Sequence, residues 1–191
     1  MENLLWKNKE SAMILDCRVF SVYRNLAQAP GKLDERDFFV IKLANWANVI
    51  PITADGEVVF IKQYRHGTSQ VTLEIPGGIM DPSDKDSEET ARRELLEESG
   101  YEAQELKFLG RHNPNPALQD NFCDTYLALD VQKRGLPTFD KEGYEQIELS
   151  LQPLSCVPQL IENGVISHGV IITAFYYFAL YEKKKPIKFV C

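Results

Sequence analysis

A chain of 191 residues, 44% apolar and 26% charged, holds enough material for one globular domain of ordinary size with a small appendage. Its net charge of -7 argues against a general nucleic-acid binder, since phosphate affinity rests mainly on clustered Lys and Arg, and leaves room only for a local positive pocket. The cysteines Cys17, Cys123, Cys156 and Cys191 stand far apart without a CxxC pair, which suggests neither a zinc site nor a dense disulfide framework and fits reduced thiols in a cytoplasmic protein.

The N-terminal MENLLWKNKESAM lacks a basic-then-apolar leader pattern, so a secreted product is not expected. From Arg18 to Arg24 and from Asp37 to Leu43, β-branched and aromatic residues dominate, and the Pro, Gly and charges between them predict an N-terminal antiparallel pair. That segment is expected to form a small β-subdomain over residues 1–43, ahead of a main domain over 44–191. Strands follow at Ala47 to Thr53 and Glu57 to Tyr64, joined by a hairpin whose signal is Asp55-Gly56. A short strand, Val71 to Ile75, leads to a turn at Pro76-Gly77-Gly78 and an irregular acidic loop.

A helix is predicted from Ser87 to Ser99, with Asp86 or Ser87 as its cap, Glu89 completing a capping box, and Gly100 in the left-handed position beyond its end. Strands at Glu105 to Arg111 and Asp124 to Val131 come next, then helices at Cys156 to Glu162 and His168 to Tyr181. The most apolar stretch, Gly169 to Tyr181, is shorter than the roughly 20 residues of a membrane helix, so no membrane partner is expected. The run Lys183-Lys184-Lys185 reads as a solvated helix terminus.

On the Ser87 helix, Glu94, Glu97 and Glu98 fall at i, i+3 and i+4, which places three carboxylates on one face while Leu95 and Leu96 point toward the core. Such a cluster repels itself unless cations lie between its members, and hard divalent ions prefer carboxylate oxygen. The competing reading is a solvated acidic face balanced by Arg92 and Arg93. The Gly-Gly turn after a strand, followed by an acidic loop into the glutamate helix, favours a site where turn and helix face one ligand.

These residues resemble the Nudix family, whose box reads G, five residues, E, seven residues, REUXEEXGU, with U apolar. Gly78 opens it, and Arg93-Glu94-Leu95-Leu96-Glu97-Glu98-Ser99-Gly100-Tyr101 matches its core with Tyr101 as the last apolar position. The spacing from Gly78 to Arg93 is one residue longer than the family's, and the first box Glu has no clean counterpart among Asp84, Lys85 and Asp86. In the family that Glu supports the loop, so the departure touches loop conformation more than chemistry. The resemblance implies an α/β/α sandwich with a mixed sheet between helices, preceded here by the small N-terminal antiparallel β-subdomain. It makes Glu94 and Glu98 metal ligands, Glu97 a ligand or proton acceptor, the Gly77 carbonyl a further ligand, and Arg93 the tie between loop and helix. Two or three Mg²⁺ or Mn²⁺ ions per site are expected.

Within the family the chain is similar to the ADP-ribose pyrophosphatase and nucleoside diphosphate sugar hydrolase branch, through Gln63-Tyr64-Arg65-His66-Gly67, Glu74-Ile75-Pro76-Gly77-Gly78 and Asn113-Pro114-Asn115-Pro116-Ala117. By that resemblance Arg65 reaches the diphosphate, the alternative being a salt bridge at a strand end. Pro116 lies in the substrate loop. Trp46, or an aromatic in Asp37-Phe38-Phe39, would stack on the base, the alternative for Trp46 being core packing. His66, His112 and His168 read as structural or solvated, since they lack metal-ligand spacing. Relatives deliver a further acidic residue from a loop before the C-terminal helices. Here that loop is Pro137 to Ile147, with Glu145 as a late metal ligand and Glu142 as a base, against ordinary surface carboxylates. A homodimer that shares the N-terminal segment is a further implication. The expected activity is hydrolysis of ADP-ribose or a related nucleoside diphosphate sugar to a nucleoside monophosphate and a sugar phosphate. The alternative is a non-catalytic nucleotide-sugar sensor.

Overall fold

The computed structural model describes residues 4–138 and 146–184. It divides into two compact units, Met1–Asn45 with Asn113–Phe122, and Trp46–His112 with Cys123–Cys191.

The first unit holds an antiparallel sheet of β1 (Lys7–Asp16), β2 (Ser21–Gln28) and β3 (Glu35–Lys42), in that order. The expected pair is therefore a triplet. β1 is almost wholly exposed and its register with β2 shifts twice, so it has no steady alternation by which sequence could reveal it. Arg18 lies in the turn before β2 with φ +66°, which starts the strand later than expected. The 113–122 segment joins this unit along β3, where the Ile41 amide donates to the Leu118 carbonyl at 2.7 Å.

The second unit is built on a seven-stranded mixed sheet. Its path runs β12 (Ile147–Pro153), β5 (Glu57–Arg65), β4 (Trp46–Ile52), β10 (Cys123–Leu129) and β9 (Lys107–His112). β6 (Gln70–Glu74) adds to β5 and β7 (Gly77–Ile79) adds to β4. β4 and β10 are parallel, and the other pairs are antiparallel. β8 (Tyr101–Glu102) and β11 (Gln132–Lys133) form a separate two-stranded ladder. Gly56, with φ +78°, makes the expected hairpin turn, and β4 meets β5 only at Ile52 and Val58 beside it. Upstream the two strands part, and β7 takes the place beside Trp46 to Asn48. The Gly-Gly segment is thus a short paired strand rather than a turn.

One sheet face packs against α1 (Ser87–Ser99), where Ala91 and Leu95 meet Val49, Val59, Tyr126 and Ala128. The other packs against α2 (Val157–Glu162) and α3 (Gly169–Lys183), where Ile171, Ala174 and Phe175 meet Ile50, Phe60 and Leu127. Helices on both faces of a mixed sheet, together with a separate N-terminal antiparallel sheet, are the expected architecture. Leu96 departs from expectation. It is 44% exposed, one helical step round from buried Leu95. No helix among the described residues is long and apolar enough to cross a membrane.

Candidate active site

The glutamates take their positions from how α1 is held. At its start the Asp86 carboxylate accepts the Glu89 amide at 3.0 Å, while the Glu89 carboxylate accepts the amide of Lys85, one residue before the cap. Ser87 Oγ donates to Asp124 Oδ2 at 2.6 Å and lies 2.8 Å from the Tyr126 hydroxyl. Asp124 is buried on β10 and clasped by Arg111 through Nε at 2.7 Å and Nη2 at 2.8 Å. At the other end Gly100, with φ +71°, donates to Leu96 O at 2.8 Å and accepts the Arg134 amide at 2.8 Å. The Thr138 amide then reaches the Glu97 carbonyl at 2.8 Å.

Between these fixings, β7 runs beside the glutamate face. The Gly77 amide donates to Glu98 Oε2 at 2.9 Å. A Cβ on Gly78 would collide with the Glu94 carboxylate, and one on Gly77 would come within 2.6 Å of Asn48 Cβ and 2.7 Å of the Ala47 carbonyl. Both positions need glycine for close approach rather than for a turn.

Burial pushes Glu98, 7% exposed, up to about 8; the charges of Glu94 and Glu74 add to this, and the Gly77 amide and Arg65 oppose it. Glu94 is raised as well, chiefly by burial, with Arg93 opposing. Glu97 is the outermost, its side chain 39% exposed.

Arg93 joins loop to helix. Its Nε and Nη2 donate to Asp84 at 3.2 and 3.0 Å, and Nη2 also donates to the Ile79 carbonyl at 3.1 Å. Its Nη1 donates to Glu94 at 2.9 Å and Glu97 at 3.0 Å. Asp84 further accepts from Thr90 Oγ1 and the Asp81 amide, and the Arg93 guanidinium foremost holds its carboxyl at about 2. Asp84 is therefore the acidic residue that secures this loop, a role the one-residue offset hid in the sequence.

Among the described residues, no three His, Cys, Asp or Glu side chains converge into a ready cage. The cause is local: Arg93 Nη1 sits between Glu94 and Glu97, while Glu98 turns to the Gly77 amide. The donor chemistry nonetheless fits a hard divalent ion. Glu94 and Glu98 are oxygen donors whose carboxyls are raised by burial, and a cation would supply the charge they lack.

Arg65 ends β5 and forks onto Glu74 through Nε at 2.7 Å and Nη2 at 2.8 Å. Burial alone would raise the Glu74 carboxyl, but hydrogen bonds from Arg65, His168 and Thr72 hold it well below the usual carboxylate range. Trp46 is half-buried at the head of β4, opposite Ile79 and Cys123. Pro116 belongs to the first unit. Glu142 and Glu145 lie outside the described residues. Sequence reasoning passed over the Glu74, Asp84 and Asp124 networks. Their only signal was a carboxylate within an otherwise apolar strand end or beside a motif residue.

The family model for the NUDIX domain matches residues 43–168. The chain is 27% identical over 187 residues to an ADP-ribose pyrophosphatase of Bacillus subtilis (strain 168), covering 95% of this chain and 97% of that one. It is 28% identical over 184 residues to a methanol dehydrogenase activator of Bacillus methanolicus, covering 94% and 95%. A solved structure described as an ADP compounds hydrolase superposes with a TM-score of 0.80 at 21% identity, covering 94% and 96% of the two chains.

Proposed function

We propose, from the premise that this chain belongs to the Nudix family, that it is a metal-dependent pyrophosphohydrolase acting on ADP-ribose or a related nucleoside diphosphate sugar. The observation that carries this reading is the approach of Gly77 and Gly78 to the buried carboxyl of Glu98 and the half-buried one of Glu94. The B. subtilis relative, matched along nearly the whole of both chains, supports the substrate class.

Glu94, Glu97, Glu98 and the Gly77 carbonyl would hold Mg²⁺ or Mn²⁺, two or three ions per site. When bound, such ions offset diphosphate charge and lower the pKa of an attacking water. Glu98, buried, and Glu94, half-buried, would supply the carboxylate ligands, and Arg93 with Asp84 keeps loop and helix in register behind them. Arg65 presents its guanidinium to the diphosphate from the end of β5. Water adds to one phosphorus and the bridging P–O bond breaks, giving a nucleoside monophosphate and a sugar phosphate. Glu97, Glu142 or Glu145 takes the water's proton. By the family resemblance Trp46 would stack on the base, Pro116 would contact substrate, and the chain would act as a homodimer that shares its N-terminal segment.

The test is a phosphatase-coupled phosphate-release screen with Mg²⁺ or Mn²⁺ across ADP-ribose, ADP-glucose, GDP-mannose, UDP-glucose, diadenosine polyphosphates and nucleoside triphosphates. Turnover of diphosphate sugars alone is expected, and their Glu145→Gln and Glu142→Gln variants should separate ligand from base. Similarity to an activator favours a second reading, a nucleotide-sugar sensor acting on a partner. No turnover in that screen, together with binding of ADP-ribose by titration calorimetry, would select it.

A further inference from the structure

We propose that His168, at the head of α3, is a positioning residue for Arg65, acting through the buried carboxylate of Glu74. The importance of Arg65 to turnover rests on the reading above, whereas its placement by His168 does not.

Glu74 is only 2% exposed, so its two oxygens depend on protein donors rather than solvent. Oε1 accepts Arg65 Nε at 2.7 Å and Thr72 Oγ1 at 2.6 Å. Oε2 accepts Arg65 Nη2 at 2.8 Å and His168 Nδ1 at 3.0 Å. Arg65 and Thr72 both belong to the β5–β6 hairpin that carries Glu74, so their bonds move with it. Among the described residues His168 is the one side chain from outside the hairpin that donates to Glu74, and α3 behind it is anchored by Ile171, Ala174 and Phe175 in the core. The imidazole therefore ties the hairpin's carboxylate to the body of the second unit.

The fork geometry explains why this tie matters. Two parallel N–H donors require the carboxylate plane to coincide with the guanidinium plane. With Thr72 and His168 each holding one oxygen, rotation about the carboxylate axis breaks two bonds. Without His168 it is resisted at one oxygen only. The Arg65 side chain is 42% exposed, so packing alone does not set its direction. The His168 side chain makes no capping bond to its own helix, although it occupies the cap position, and is turned to Glu74 instead. Because the carboxylate can only accept, Nδ1 carries the proton.

The 191-residue chain with Mg²⁺ should be compared as wild type, His168→Ala and His168→Asn, the Asn amide standing where Nδ1 does. Two readouts are needed: KM and kcat for ADP-ribose, and the solvent-exchange rate of the Arg65 Nε–H proton by NMR, assigned by its loss in Arg65→Lys. His168→Ala should speed that exchange about tenfold and raise KM about tenfold with kcat within twofold, and His168→Asn should restore both. Unchanged exchange in His168→Ala, or equal losses in the Ala and Asn variants, would overturn the proposal even if thermal stability fell. Faster exchange with unchanged KM would support the positioning and overturn the assignment of Arg65 to the diphosphate. A wild type without turnover would refute the enzymatic reading, and the exchange rates would still decide the role of His168.

Discussion

Glu98→Gln should stabilise the metal-free protein while abolishing its response to Mg²⁺. Glu98 has an ordinary value of 4.5 and stands at about 8 in the fold. A group raised on folding contributes stability below its unfolded value and loses it as pH climbs through the folded one. The carboxyl therefore weakens the fold progressively between pH 4.5 and 8. At pH 7 the difference amounts to about 3 kcal/mol, taking about 1.4 kcal/mol per unit, and side-chain relaxation with water entry leaves about 1–3 kcal/mol. Glutamine keeps an acceptor for the Gly77 amide but has no proton to gain or lose. For a chain of this length, about 2–4 °C per kcal/mol predicts a Tm about 2–12 °C above wild type at pH 7 in EDTA. The gap should close by pH 4.5 and be widest near pH 8. Added Mg²⁺ should raise the wild-type Tm and leave the variant where it was, with turnover lost. Thermal scans at four pH values, with and without Mg²⁺, provide the measurement. A variant less stable than wild type in EDTA at pH 8 would refute the view that Glu98 is a buried charge awaiting a cation.

The two glycines of β7 should respond differently to alanine. Gly78→Ala meets only the movable end of Glu94 and should fold with activity reduced at least tenfold, whereas Gly77→Ala meets the Ala47 carbonyl and Asn48 Cβ and should lower Tm sharply, both visible by thermal scan and turnover assay. Asp84→Asn removes the charged acceptor of Arg93; screening near the surface limits the loss to about 1–2 kcal/mol in denaturant titration, and kcat should fall as the loop loosens. Arg111→Ala leaves Asp124 buried beside Ser87 without its cation and should cost about 3–5 kcal/mol; a loss under 1 kcal/mol would show that the hydroxyls alone satisfy it.

The parts of this fold that sequence revealed are those where local chemistry and tertiary packing agree. The Asp86 cap and left-handed Gly100 bound α1 where expected, and Asp55-Gly56 makes its hairpin. β12 had no counterpart in the sequence-based expectations, although Ile147, Leu149 and Leu151 alternate and pair with Gln63, Ile61 and Val59. Its signal is short, ends at Pro153, and follows a charged stretch of sequence. The helix spacing that grouped Glu94, Glu97 and Glu98 was legible, but their division was not. Which carboxyl is buried against Gly77 and which is shared with Arg93 depends on β7, whose pairing partner lies some thirty residues earlier on β4. Long-range pairs of that kind, like Arg111 with Asp124 and Glu74 with His168, leave no local period to read.

The Thr138 amide rests on the Glu97 carbonyl, and Ile147 begins a strand paired from Gln63 onward, so both ends of the intervening stretch are fastened to the second unit. The last turn of the glutamate helix is held there by backbone alone, with the Arg134 amide on Gly100 and the Thr138 amide on Glu97. Side-chain substitutions at 134 and 138 would leave those two ties standing, whereas a proline at either position removes the N–H that makes one of them.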